Sequence, residues 1–249
     1  MKRIYYIEYP DGQCSQALDE EWILVKIGKA AQKIRLHDYH RIYQVPGLYE
    51  EVICRRLKYS SPQVLCALLK KEIRRAGNEG QPLRVIDFGA GNGLSGQCLK
   101  QQLSCELLVG VDIIEEAYAA VQRDRPHIYD HYYILDLADE QQSRDAGLRR
   151  FYFNTLITVG ALGFGDIPVQ TFLRALDLLP LNAWIAFNIK DTLFLEEDVS
   201  GYKEALDSIL GNSLLVLQTK RYRHRYSISG SPLYYYAVIA KKVKEISWP

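Results

Sequence analysis

The sequence is poor in the features that commit a chain to an extracellular, membrane or nucleic-acid setting. Its five cysteines (Cys14, Cys54, Cys66, Cys98 and Cys105) are odd in number and lack any Cys-x-x-Cys spacing. That argues against a disulfide frame and a paired-cysteine zinc site, and they read as buried thiols of a reducing compartment. The expected location is the cytoplasm. No apolar run is long enough to span a bilayer. Over Met1 to Pro10, Glu8 and the tyrosines interrupt what would have to be the apolar core of a signal peptide. The formal net charge is only +1, so no overall field draws the chain onto nucleic acid or an anionic membrane. Internal repeats and low-complexity segments are absent. The apolar fraction of 48% over 249 residues suffices for a sizeable core in one domain with a small appended piece.

From Leu83 onward, strand-like apolar runs alternate with amphipathic helical ones. The strand candidates are Leu83–Phe88, Glu106–Val111, Tyr132–Leu135, Thr155–Val159 and Trp184–Ile189. Helices are expected over Leu94–Gln102, Glu115–Arg123, Gln141–Arg149, Val169–Leu179 and Tyr202–Ile209. This alternation predicts βαβ units and a parallel sheet covered on both faces. Leu214–Tyr226 and Leu233–Ala240 break the pattern, because Ser229-Gly-Ser-Pro232 between them leaves no room for a helix. They are expected to form an antiparallel hairpin at one sheet edge.

Residues 1–80 have another texture and are expected to form an N-terminal helical extension or lid on a main domain of residues 81–249. Ile4–Tyr9 reads as a short strand, followed by a turn at Pro10-Asp-Gly12. Over Trp22 to Leu36, apolar residues at Ile23, Ile27, Ala30, Ala31 and Ile34 make a helical stripe. A second helix is expected to start with Ser61 as N-cap and Pro62 at the first helical position, ending near Gly77.

The most informative stretch is Val85-Ile-Asp-Phe-Gly-Ala-Gly-Asn-Gly93, a buried strand turning through glycines into a helix. Gly89, Gly91 and Gly93 remove side chains where a ligand must approach the backbone. Two cofactor patterns fit. Gly91-Asn-Gly93-Leu-Ser-Gly96 satisfies the dinucleotide spacing, with Asp112 at 112 − 93 = 19 residues past Gly93. Asp87 argues against a dinucleotide, since a carboxylate inside the strand end repels a pyrophosphate by several kcal/mol at an effective dielectric of roughly 20. An ammonium group, such as S-adenosylmethionine carries, is attracted instead. Asp112 ends the second strand and can accept both ribose hydroxyls; Asp136 ends the third and can accept from the adenine amino group. Three successive strands ending in aspartate mark the edge at which open α/β sheets bind ligands.

These residues resemble the class I S-adenosylmethionine-dependent methyltransferase family, of the small-molecule type, over Leu83 to Lys242. The resemblance implies a Rossmann-like, doubly wound α/β fold: a seven-stranded sheet, mostly parallel, with an antiparallel last strand. It implies S-adenosyl-L-methionine as cofactor, held by Asp87, Gly89, Ala90, Gly91 and Gly93 of the first motif. Asp112 with Ile113 and Asp136 with Leu137 match the next two. Val159, Gly160 and Ala161 begin the segment that passes beside the methionine part. Phe164 on that segment, with Asn188 and Lys190 on the fifth strand, is similar to what small-molecule members carry near the substrate. The Asn/Asp-Pro-Pro-aromatic motif of DNA and protein-glutamine methylases is absent, Gly160-Ala-Leu-Gly163 standing in its place.

For the acceptor, His37 to Tyr49 is the lid candidate. Tyr39, Tyr43 and Tyr49 offer aromatic faces to a sulfonium, or pack a helix on the sheet edge. His37, His40 and Tyr43 are the candidate catalytic groups, although a surface histidine needs no such role. In Lys220-Arg-Tyr-Arg-His-Arg-Tyr226, strand alternation puts Arg221, Arg223 and Arg225 on one face, able to hold a carboxylate or phosphate; the bland reading is an edge strand blunted by charge. Asp166, Asn188, Lys190 and Asp191 match a catechol-type metal site only in part, so no metal is expected. The expected partner is a small, possibly anionic molecule, with neither nucleic acid nor membrane, and the chain is a monomer or homodimer. The rival readings are an NAD-dependent oxidoreductase and a non-catalytic protein that keeps the cofactor.

Overall fold

The computed structural model describes residues 5–10, 20–162, 166–194 and 200–246. The turn expected at Pro10–Gly12 runs outside them, and Cys14 and Phe164 lie outside them. The chain opens with strands β1 (Tyr5–Glu8), β2 (Trp22–Ile27) and β3 (Ala30–Arg35), then helix α1 (Tyr39–Gln44), a π-helix (Glu50–Arg56) and α2 (Ser61–Arg75). The alternating part follows as β4 (Leu83–Phe88), α3 (Leu94–Gln102), β5 (Cys105–Asp112), α4 (Glu115–Asp124), β6 (His131–Ile134) and α5 (Glu140–Ala146). It continues through β7 (Thr155–Leu162), α6 (Val169–Asp177), β8 (Trp184–Lys190) and α7 (Tyr202–Ile209), and closes with β9 (Leu214–Tyr226) and β10 (Pro232–Lys242).

Among the described residues the main sheet has seven strands in the order β6-β5-β4-β7-β8-β10-β9. The first five pair in parallel, while β10 runs antiparallel to both β8 and β9. The central strands β4, β5, β7 and β8 are apolar on both faces because both are covered. Ile86, Val109, Leu156 and Phe187 face a core closed by α6 and α7, and Val85, Leu108, Ile157 and Ala186 face the core under α2 and α3. Each of these fully buried side chains larger than alanine contributes about 1.5–3 kcal/mol. Since α2 covers the sheet beside α3, the sheet-covering layer starts before residue 81.

Residues 22–36 are not a helix. They form a hairpin, β2–β3, turning at Gly28-Lys29 with Gly28 at φ +59°, and β1 adds a third antiparallel strand. The residues fit both periods, but Val25, off the helical stripe, is buried, whereas Ala30 and Ala31 on it are exposed. The β-branched Ile23, Val25, Ile27 and Ile34 favour strands. The extension is therefore mixed, and its core packs through Ile42, Leu48 and Val52 onto Ala117 and Ala120 of α4.

Ser61 is also not the N-cap of α2. That position falls to Ser60, and Ser61 is the first helical residue, fully buried. Its hydroxyl meets Tyr222 and His224 instead.

Candidate functional site

The parallel strands end at one edge, and there β4 turns into α3. Gly89 N and Ala90 N donate to the Val111 carbonyl at 2.9 and 3.1 Å, tying the turn to β5. Gly91 N donates to Asp112 Oδ2 at 2.7 Å, and Tyr132 Oη donates to the Gly91 carbonyl at 2.9 Å. On the outer side, Asn92 Nδ2 donates to Glu50 Oε1 at 2.8 Å, and Arg125 pairs with the same carboxylate. The glycine turn is thus clamped from the sheet, from α4 and from the N-terminal extension. Gly91 has φ +52°, and a Cβ there would stand 2.7 Å from Tyr43 Oη. Only glycine lets that ring lie against the backbone.

Beside the turn lies a cavity of about 480 Å³, within the usual size range for a cofactor site. Of the cofactor positions expected from sequence, Gly89, Gly91, Asp112, Ile113, Asp136 and Leu137 line it, as do Val159, Gly160 and Ala161. The extension supplies His37, Tyr39, His40, Tyr43 and Tyr49. The three tyrosines form a run, Tyr39 stacked on Tyr43 at 5.9 Å and Tyr43 tilted on Tyr49 at 5.5 Å. Leu135 and Ile167 line it too, as does Asp166, which the sequence had offered only for a partial metal site. The Asp-Ile-Pro168 stretch was the available signal, as a third acid in the loop after β7.

Asp112 is half-buried and holds two backbone donors, Gly91 N on one oxygen and Ile114 N on the other at 3.0 Å. Burial raises its pKa, and those hydrogen bonds oppose the rise. Asp136 Oδ1 accepts from Ala138 N at 2.8 Å. Burial, with Asp112 nearby, pushes the Asp166 carboxyl up to about 6. His37 Nδ1 stands 4.0 Å from Asp166, whereas His40, largely exposed, is joined to Glu116 at 2.8 Å.

Several expected residues stand elsewhere. Asp87 is fully buried behind the turn and does not line the cavity; Tyr129 Oη donates to its Oδ2 at 2.7 Å, and Oδ1 has no partner among the described residues. Ala90 and Gly93 serve the turn itself, Gly93 as the left-handed residue preceding α3. Asn188 is buried and braces the cavity wall, its Oδ1 accepting from Gly160 N at 2.7 Å; Lys190 ends β8 without lining the cavity.

The arginines correct the alternation argument. Arg221 pairs with Asp191 at 2.8 Å and stacks on Tyr234, while Arg223 lies over Tyr226. Both are exposed and neither reaches the cavity. A register shift pairs Leu233 with Arg225 but Tyr234 with Arg223, so His224 is the extra residue of a β-bulge. The bulge turns Arg225 off its neighbours' face and into the interior. There it pairs with Glu21 at 2.8 Å, the two side chains being 5% and 2% exposed.

Burial pushes the Asp87 carboxyl up to about 7; the Tyr129 hydrogen bond opposes this and Asp112 adds to it. A carboxyl raised on folding supports stability at low pH and loses that support as pH rises through the window from about 4 to about 7. Asp87→Asn is therefore expected to gain on the wild type as pH rises. Melting temperatures of both proteins at pH 5 and pH 8 test this, and an equal gap at the two pH values refutes it.

No protein-family model matches the chain, and no curated protein matches it. Solved structures do. A SAM-dependent methyltransferase from Anabaena variabilis aligns over 84% of this chain and 96% of its own, with 13% identity and a TM-score of 0.54. The N-methyltransferase NodS from Bradyrhizobium japonicum, in complex with S-adenosyl-L-homocysteine, aligns over 83% and 97%, with 10% identity and a TM-score of 0.53. A protein from Pyrococcus horikoshii provisionally described as an RNA methyltransferase aligns over 75% and 88%, with 13% identity and a TM-score of 0.51. The fold is the Rossmann-like one of class I S-adenosylmethionine-dependent methyltransferases.

Proposed function

We propose that the chain transfers the methyl group of S-adenosylmethionine to a small-molecule acceptor. One observation carries this reading. The cavity is lined by Asp112, Asp136 and Asp166, with no lysine or arginine among its described lining residues. Such a wall favours a ligand bearing a sulfonium and an ammonium over one bearing a pyrophosphate. The turn adds to the argument against a dinucleotide. Phosphates bind where backbone N–H groups at a helix N-terminus are open, but Tyr43 lies against Gly91 and Glu50 is bonded to Asn92 at this turn.

The residues fit the cofactor in named roles. Asp112 receives the ribose hydroxyls, Asp136 the adenine amino group, and Leu135 and Leu137 flank the ring. Val159 to Ala161 border the methionine part. When bound, the cofactor supplies a methyl group on a cationic sulfur. Tyr39, Tyr43 and Tyr49 exclude water and offer π-faces to the charge. Residues 37–49 act as the lid, latched by His40 and Gln44 on Glu116 and by Arg123 on the Tyr43 carbonyl. His37 is better placed than His40 to move a proton, because it stands within the cavity wall near Asp166. The cytoplasm is the location we propose, a reducing compartment in which thiols such as Cys54, Cys66, Cys98 and Cys105 stay free.

Titration calorimetry with S-adenosylhomocysteine and, separately, NAD tests the reading. Micromolar binding of the first and none of the second is expected. NAD binding in its place makes the oxidoreductase reading the correct one. Cofactor binding without turnover on any acceptor leaves a non-catalytic protein of the same fold.

A further inference from the structure

The main cavity has an annex. A chamber of about 30 Å³ lies behind Gly160, between the N-terminal extension and the β9–β10 hairpin. It shares His37, Tyr39, Tyr49 and Gly160 with the main cavity. Its volume suits a group the size of one or two water molecules, so only the reacting end of an acceptor enters.

The chamber's polar character follows from a buried relay. Tyr222 Oη donates to Ser61 Oγ at 2.7 Å, and Asn188 Nδ2 donates to the same oxygen at 3.4 Å. With both donors pointing in, the Ser61 proton goes outward, to His224 Nδ1 at 2.7 Å. An imidazole that accepts at Nδ1 carries its hydrogen on Nε2. Burial, with Arg225 and His37 nearby, holds His224 well below the usual histidine range, so the ring stays neutral and Nε2–H is a permanent donor.

The other walls agree. Tyr59 Oη presses on Gly160, 2.5 Å from where a Cβ would stand, and Tyr235 stacks on His224 at 3.8 Å while only 1% exposed. Neither hydroxyl has a protein partner among the described residues. Arg225 lines the chamber too. No carboxylate lines it among the described residues, and Glu21 sits against Arg225 outside the lining. The two compartments thus differ in sign: carboxylates surround the main cavity and hydrogen-bond donors surround the annex.

We propose that this annex is the acceptor subsite and that it takes a small molecule presenting an anionic oxygen, a carboxylate or a phenolate, to His224, Tyr59 and Tyr235. The inference rests on the methyl-donor reading above. The acceptor oxygen's lone pair forms the new C–O bond as the C–S bond breaks, and the electron pair of that bond stays on sulfur, which becomes a neutral thioether. No proton leaves, so no general base is required. Two opposite charges are annihilated in the step, and a confined chamber too small for bulk water favours that over an aqueous setting. The anion-binding role that alternation suggested for Arg221 and Arg223 falls to the bulged segment His224-Arg225.

The test uses the full chain loaded with S-adenosylhomocysteine. Calorimetry compares benzoate, benzamide and benzylamine, and the visible absorbance of 4-nitrophenolate, titrated with pH, reads the ionisation of bound 4-nitrophenol. Benzoate is expected to bind at least tenfold more tightly than benzamide or benzylamine, or bound 4-nitrophenol to ionise at a lower pH than free; the two arms separate carboxylate from phenolate. His224→Phe should erase the preference about tenfold while leaving S-adenosylhomocysteine affinity unchanged. Should that variant fail to fold, Tyr59→Phe removes a second donor and should weaken the anion severalfold. If S-adenosylhomocysteine itself does not bind, the methyl-donor reading fails. If it binds but benzamide or benzylamine equals benzoate with no ionisation shift, or no probe binds at millimolar concentration, the acceptor inference is overturned.

Discussion

Replacing Asp112 by alanine is expected to weaken S-adenosylhomocysteine binding by about 100-fold, the largest effect of any single side chain in the site. Hydrogen bonds to a charged acceptor are worth about 1.5 kcal/mol each at the low end, and two ribose hydroxyls give about 3 kcal/mol, which is about 100-fold in affinity. Asp112 also organises the unliganded protein, since Gly91 N and Ile114 N both donate to it. Their release costs about 1–3 kcal/mol of stability if water cannot replace the carboxylate, and it frees the glycine turn from β5. Asp112→Asn separates the two roles, because its one oxygen can keep one backbone donor while the charge is lost. Calorimetry and thermal melts on both variants are the measurements. An alanine variant with wild-type affinity removes Asp112 from the ribose.

Gly160→Ala is expected to act at the border between the two compartments. Gly160 has φ +71°, and a Cβ would stand 2.5 Å from Tyr59 Oη and 3.6 Å from His224 Cε1. The left-handed backbone costs an alanine about 1–2 kcal/mol, and the contact forces Tyr59 off its edge-on packing against His224, 5.0 Å between centroids. The variant should lose about 2–3 kcal/mol of stability and most of its acceptor turnover, because Tyr59 lines the annex and its displacement reshapes that wall. Removing the oxygen that clashes should relieve part of the loss. The double variant Gly160→Ala/Tyr59→Phe is accordingly expected to be more stable than the sum of the single changes by about 1 kcal/mol. Chemical denaturation of the four proteins of that cycle decides it, since strict additivity excludes the clash.

The features legible in the sequence are those written in local pattern. Runs such as Val85–Phe88 and Leu108–Val111 are apolar on consecutive residues because both sheet faces are covered, and that needs no partner to be seen. The short Ser229–Pro232 joint excludes a crossover helix, so the antiparallel β9–β10 pair follows from chain length alone. Asp112 and Asp136 were readable because a strand end in a parallel sheet faces the ligand edge whatever the strand order. Trp22–Leu36 was misread because its apolar residues satisfy both periods, and the arbiter, a turn at Gly28 with Val25 inward, depends on what the strands pack against.

By itself, then, the sequence determined the Rossmann-like sheet, the edge that bears the cavity and the glycine turn beside it. Each depends on contacts within a few residues or on a period along one strand. Only the tertiary structure decided what surrounds that edge. It withdrew Asp87 behind the turn and brought Asp166 into the wall. It turned Arg225 inward through a bulge that no alternation can announce, because a one-residue register shift is fixed by the partner strand. It also joined Ser61 to His224 across 163 residues, which sets the tautomer of the imidazole and with it the chemistry of the annex. Side chains that far apart in sequence meet only because α2 and β9 pack on the same sheet, and that packing is a property of the whole fold.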